Sequence, residues 1–324
     1  MFLSWDEEGA GGRWDEKEKR PPDRPRRSAV LKAVERLGYR PSQAAAALAG
    51  ATTRTIGVVI DDWRNLWFME LLRGLQEGLA PHGLRIAVAD HTLNAHVEAH
   101  PLDGFLSMRV DGLVIATEPT GAMRVPEGLP VVVAGHREGV VPGAEVVAND
   151  DRLGARLATE HLTGLGHRGI GHLTGGGGAA WLRAEGFAEA MAAAGLQPRA
   201  VPGGGATTEE DGYAAAVRLL DSAPETTAVF AANDTMAMGA LAAAGERGLR
   251  VPQDLSVVGY DDSPIASTHL LRLTTVDSRN AEIGEAAAER LVARIGGSAG
   301  TGAAVLLEPE LVIRGSTAAP RSTA

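Results

Sequence analysis

The chain has 324 residues, 44% hydrophobic and 22% charged, enough to bury a substantial core without metals or cross-links. It contains no cysteine, which excludes disulfides, thiolate metal sites and cysteine nucleophiles. No run of 18 apolar residues occurs, and the opening segment is acidic and polar where an export signal would be basic and then apolar. The expected compartment is therefore the cytoplasm. The net charge of −10 is uneven. Between Lys19 and Arg40 lie eight basic residues against Asp23 and Glu35, or 8 − 2 = +6, on an otherwise acidic body. A basic end of this kind suits contact with a polyanion such as DNA, or simply a solvated tail.

Residues 1–27 carry a Gly pair, PPDRP and charged runs without apolar periodicity, and are expected to be disordered. Val30, Leu31, Val34 and Leu37 then recur at helical spacing behind Ser28, a candidate cap, and Gly38 stops the run. Pro41 opens a second short helical run that Gly50 ends. From Thr55 short β-branched runs alternate with helical stretches. Strands are expected at 56–60, 85–89, 111–116, 130–135 and 145–149, with a helix over 66–80 and another interrupted at Pro101. The alternation resumes with helices at 152–165, 181–194, 208–221 and 234–247, and strands at 170–173, 227–232 and 255–260; residues after 194 read as a Gly-rich link. Such alternation predicts parallel sheets covered by helices on both faces. The β-α units fall into two series, about 55–148 and 150–275, hence two doubly wound α/β lobes with a cleft between them.

Several segments carry a resemblance: VLKAVERLGYRPSQAAAALAG (30–50), TRTIGVVI (53–60), LPVVV (129–133), VVANDDRLGARLATEHLTGLGHRGIGHLTG (146–175), AVFAANDTMAMGALAAAGERGLRVPQDLSVVGYDD (228–262) and LTTVDS (273–278). Their order and content resemble the LacI/GalR family of bacterial transcription regulators from about Arg27 to Thr317. The resemblance implies a helix-turn-helix head, a hinge helix, and a core of two lobes like the periplasmic sugar-binding proteins. It divides this chain into a remnant of the head with the hinge at 28–50, a first lobe at 55–148 and 279–305, a second lobe at 149–278 and 306–317, and a tail at 318–324. It further implies a homodimer, an operator as DNA partner, and a small-molecule effector in the cleft, with no cofactor, metal, catalytic residue or membrane.

Two places depart from the family pattern. Residues 1–27 hold prolines at 21, 22 and 25 where a recognition helix would enter the major groove, so operator reading is expected to be weakened or lost. Either the start or frame upstream of Arg27 differs from the functional one, or the reader helix is gone. In the hinge, the resemblance makes Leu48 the minor-groove wedge, with Arg40, Ser42 and Ala45 as further DNA contacts. Ala46 stands where a basic residue is common.

Ligands of doubly wound sheets sit beyond the carboxyl ends of the strands. By that rule and the resemblance, the effector contacts are Asn65, Trp67, Phe68, His136, Arg183, Asn233, Asp234, Asp261 and Ser278. An aromatic can stack on a sugar ring, an amide and carboxylates can bond its hydroxyls, and the Arg183 fork suits bidentate contact. The alternatives are that Phe68 and Trp67 are core, Arg183 an exposed helix residue, and Asp234 a helix cap. His136 stands where many relatives carry Arg, and Ser278 where they carry Gln. The polar set favours a sugar over a purine. A rival enzyme reading finds only Gly175-x-Gly177-x-x-Ala180, without the acid about 20 residues on that a dinucleotide site needs. A second alternative is a sugar-binding protein that no longer binds DNA specifically.

Overall fold

A computed structural model describes residues 32, 36, 52–92, 101–119, 123–300 and 302–321. The opening segment and the candidate DNA contacts Arg40, Ser42, Ala45 and Leu48 lie outside the described residues. The chain divides between Ala49 and Gly50, and the second unit, 50–324, holds the whole cleft.

The unit starts with β1 (Thr55–Ile60), whose six residues are all buried, followed by α1 (Trp67–Leu79) and β2 (Arg85–Asp90). Next come α2 (Pro101–Ser107), β3 (Gly112–Ala116), β4 (Val131–Ala134) and β5 (Glu145–Asn149). Continuous Val, Ile and Leu runs form these strands because both faces are covered. One face packs against α1, through Phe68, Leu71, Leu75 and Leu79; the other packs against Leu102 and Phe105 of α2.

The chain then crosses into a second lobe: α3 (Asp151–Gly164), β6 (Ile170–Thr174), α4 (Gly178–Ala193), β7 (Arg199–Pro202), α5 (Glu209–Ser222), β8 (Ala228–Ala231), α6 (Asp234–Glu246) and β9 (Ser256–Val258). Its parallel sheet runs β7-β6-β8-β9. Helices α5 and α6 cover one face; α3 and α4 cover the other around Phe187, Phe230 and Tyr260. After β10 (Thr275–Asp277) the chain returns to the first lobe as α7 (Asn280–Ile295) and β11 (Val305–Leu307). The first sheet is thereby completed as β11-β5-β4-β3-β1-β2, all parallel. Finally β12 (Glu310–Val312) pairs antiparallel with β10. Three segments thus join the lobes, near 150, 278 and 308.

The α/β, doubly wound, two-lobed expectation holds, with differences in detail. The helical stretch expected before Pro101 falls on residues 93–100, which lie outside the described residues, and α2 is described from Pro101 onward. Helix α4 starts at Gly178, three residues before its expected start, because its first turn is small residues that read as loop. The presumed Gly-rich link contains β7, an exposed edge strand with Arg and Pro and no buried apolar face to betray it. Residues 306 and 307 belong to the first sheet, where Leu306 pairs with Ala148. Ala318 to Arg321 are not a free tail. The Ala318 carbonyl accepts from His167 and Ser256 at 2.8 and 3.0 Å, and Arg321 pairs with Asp254.

Candidate functional site

The carboxyl ends of the first-lobe strands β1, β3, β4 and β5 face the amino ends of second-lobe helices. Between them lie two adjoining hollows. The outer one, about 290 Å³, is lined by Asp61, Asn65, Glu118, Arg137 and Thr207 among others. The inner one, about 90 Å³, reaches down to Trp67, Phe68, Asn149, Arg183, Asn233 and Asp261.

The floor is built around Arg183 on α4, buried to 7% exposure. Its Nε donates to Asp151 Oδ1 at 2.8 Å, Nη1 donates to the Ala232 carbonyl at 2.5 Å, and Nη2 lies 3.5 Å from Asp261 Oδ1. The guanidinium plane sits 3.7 Å over the Tyr260 ring, a cation–π contact that helps hold a charge away from water. Tyr260 in turn accepts from Asn149 Nδ2 at 2.8 Å. Burial pushes the Asp151 carboxyl up, but Arg183 and the His136 bond outweigh it, and its pKa is lowered. Burial also acts against the Arg183 charge, yet Asp151 and Asp261 overcome it and hold the guanidinium charged. Asp261 is different: burial dominates, Arg183 offsets it only in part, and its pKa is raised well above the usual carboxylate range.

Asp261 also bears backbone strain, with φ of 101°, followed by Asp262 at 45°. The conformation persists because the Asp261 N–H donates to the Val276 carbonyl at 2.8 Å and its carbonyl accepts from Asn280 Nδ2 at 2.9 Å. The segment crossing between lobes therefore fixes where this carboxyl points. Among the described residues, neither Asp261 Oδ1 nor the buried Nε of Arg137 has a hydrogen-bond partner. Both residues line the inner hollow, so a donor and an acceptor stand ready for a polar guest.

Most of the residues expected at the site converge here. Asn65 accepts from the Trp67 N–H at 3.0 Å and donates to Thr207 Oγ1 across the cleft at 3.2 Å. Trp67 and Phe68 serve both as core and as cleft wall, in an edge contact of 5.0 Å. Asn233 caps α6 through the Met236 N–H and donates to the Thr207 carbonyl.

Three others lie outside the lining. Asp234 turns into the second lobe, where Oδ2 accepts from the Ser263 N–H and hydroxyl, both at 2.7 Å, and Oδ1 from Thr275 at 2.6 Å. It ties loops together and does not cap α6. His136 bonds Asp151 Oδ2 from the outer side at 2.9 Å, supporting the floor from behind. Ser278 is buried and donates to Asn280 Oδ1 at 2.7 Å.

Sequence reasoning missed Arg137, which takes the cleft position expected of residue 136. Its Nη2 donates to the carbonyls of Ala116 and Ala134 at 2.8 and 2.9 Å, and its guanidinium lies 5.5 Å from the Trp67 ring centre. Desolvation by burial lowers its pKa. Asp61 and Asp151 were also missed, although they lie one and two residues beyond the ends of β1 and β5 and the strand-end rule covers them. Among the described residues no group of three or more His, Asp or Glu could hold a metal ion, and no helix is long and apolar enough to cross a membrane.

A floor of paired charges beneath an aromatic wall, between two hinged lobes, defines a small-molecule-binding protein of the periplasmic-binding type. Residues 159–317 match the periplasmic binding protein-like domain. The chain is 33% identical over 296 residues to the HTH-type transcriptional repressor PurR of Pasteurella multocida, covering 89% of this chain and 88% of that one. A LacI-family transcriptional regulatory protein from Corynebacterium glutamicum is 41% identical, with a TM-score of 0.74 over 83% of this chain and 99% of that one. The complex of the transcriptional regulator CelR with cellobiose is 29% identical, with a TM-score of 0.71 over 91% of each chain. The chain belongs to the LacI family of transcriptional regulators.

Proposed function

We propose that this protein is a LacI-type repressor, cytoplasmic and homodimeric, whose inter-lobe cleft binds a sugar as effector. The observation that carries the reading is the inner hollow, where Arg183, Asp261, Asn233 and Arg137 converge beneath Trp67 and Phe68. Hydroxyls can satisfy the Asp261 oxygen and the Arg137 N–H together, while a ring packs on the indole. The cellobiose carried by the related CelR supports the same class. The paired state of the charges supports binding rather than catalysis. Effector binding closes the lobes and shifts the order of the hinge segment, where Arg40, Ser42, Ala45 and Leu48 contact DNA. With residues 1–27 as they stand, that contact is weak and salt-sensitive.

Calorimetric titration with cellobiose, ribose, glucose and hypoxanthine tests the effector class. Binding of one sugar with Kd below about 1 mM supports the reading. Silence with every sugar, or binding of hypoxanthine alone, overturns it.

A further inference from the structure

At the mouth of the cleft the lobes are bridged by the Asn65–Thr207 hydrogen bond and by one carboxylate. Glu118, just beyond β3 in the first lobe, accepts two backbone N–H bonds. Its Oε2 accepts from Glu138 in the first lobe at 2.8 Å, and its Oε1 accepts from Gly178, the first residue of α4 in the second lobe, at 2.9 Å. A carboxylate on the first N–H of a 16-residue helix also meets the positive end of the helix dipole. The walls are shaped for this approach. Gly177 has φ of 88°, and a Cβ there would stand 2.9 Å from Glu118 Oε1. A Cβ on Gly178 would meet the Arg137 carbonyl carbon at 2.8 Å and the Glu138 nitrogen at 3.0 Å. Glu118 lines the outer hollow but not the inner one, so the bridge spans the way out from the floor.

We infer that Glu118 is a clasp: a positioning residue that holds the lobes together over a bound effector and sets its rate of escape. The inference rests on the cleft reading above for its kinetic consequence, and on geometry alone for its structural one. A guest on the floor contacts Arg183 and Asp261 whether or not the clasp is shut. Its departure requires the Gly178 wall to part from the Glu118 and Glu138 wall, which breaks the bond from Gly178 to Glu118, while the Glu138 bond holds the carboxylate in place on the first lobe.

Three variants test this. Glu118→Ala removes both bonds. Glu118→Gln keeps one acceptor but presents an amide N–H₂ where the second N–H points, and should lie between. Gly178→Ala leaves Glu118 intact and wedges the walls apart with a methyl group. Stopped-flow kinetics with the sugar found by calorimetry should show release accelerated about tenfold in Glu118→Ala and in Gly178→Ala, with the association rate changed by less than about threefold. Small-angle scattering of the sugar-free proteins should give a larger radius of gyration for both than for the unmutated chain, with circular dichroism confirming that each is folded. An unchanged release rate in Glu118→Ala overturns the inference. So does faster release in Glu118→Ala with normal release in Gly178→Ala, which would make Glu118 a direct effector contact. If no sugar binds the unmutated chain, the effector reading fails, and the scattering decides the clasp by itself: an unchanged radius in Glu118→Ala sinks it.

Discussion

Two buried carboxylates, a carbonyl and an aromatic face converge on Arg183. Removing it leaves Asp151 and Asp261 without their counter-charge, so Arg183→Ala should cost about 3–5 kcal/mol of stability in urea denaturation as well as abolish effector binding. A variant that loses binding at unchanged stability would place Arg183 outside the floor network. Two other buried groups oppose each other in pH. Burial raises the Asp234 pKa to about 6 and lowers that of His172, stacked on Phe230, to about 4. Between these values folded Asp234 keeps a proton that the unfolded chain has released. Its stabilisation is complete below about 3.8 and fades as pH rises through about 6. His172 does the reverse: its contribution is complete above about 6.5 and is lost as pH falls through about 4. Each is worth about 3 kcal/mol, so the two slopes largely cancel. Asp234→Asn removes one of them, and its unfolding free energy should climb between about pH 4 and pH 6 by that amount more than the unmutated chain's. Parallel pH profiles for the two proteins would refute the assignment.

Helices α1 and α7 come from opposite ends of the unit, yet their backbones touch. A Cβ on Gly74 would lie 1.9 Å from the Ala281 carbonyl oxygen, and one on Gly284 would lie 2.3 Å from that of Leu71. Neither obstacle is a side chain that can swing aside. Gly284→Ala should therefore lower stability by about 3 kcal/mol, read from thermal unfolding, while Gly245→Ala, with open space around it, should not. Such crossings are invisible to periodicity, which sees only an interrupted helix. The buried strands were readable because parallel sheets demand continuous β-branched runs; β7, with Arg199 and Pro202 on an exposed edge, offers no such run. The site was readable to the same depth. The strand-end rule and the resemblance together pointed to Asn65, Arg183, Asn233 and Asp261, which the structure brings to one cleft. They took His136 for Arg137 because Gly135, at φ of 78°, turns the chain after β4, and counting residues cannot tell which side chain re-enters the cleft after such a turn. Asp234 misled for a related reason: next to a capping amide, a carboxylate can face either the cleft or the lobe behind it, and here two hydroxyls and an N–H draw it inward.

For the molecule as a regulator, the decisive quantity is how well DNA sequences are told apart. On the proposed function, the eight basic residues between 19 and 40 would provide phosphate attraction without base reading. Affinity for a palindromic operator and for scrambled DNA should therefore differ by less than about tenfold, and both should fall about a thousandfold or more between 50 and 200 mM salt if six phosphates are contacted. An operator preference of about a hundredfold in the same titration would mean that residues 1–27 fold into a reader. The fold carries a further consequence, for synthesis rather than for binding. The first lobe is finished only by α7 and β11, which follow β5 after the 130 residues 150–279. At ribosomal rates of about 5–20 residues per second, the flank of α1 that meets α7 at Gly74 and Gly78 waits roughly 6 to 26 seconds after β5 for that helix. During that interval the places of Ile283, Ala287 and Leu291 in the first-lobe core stand unfilled on a nascent chain, making this half-built lobe the natural client of a chaperone at the ribosome.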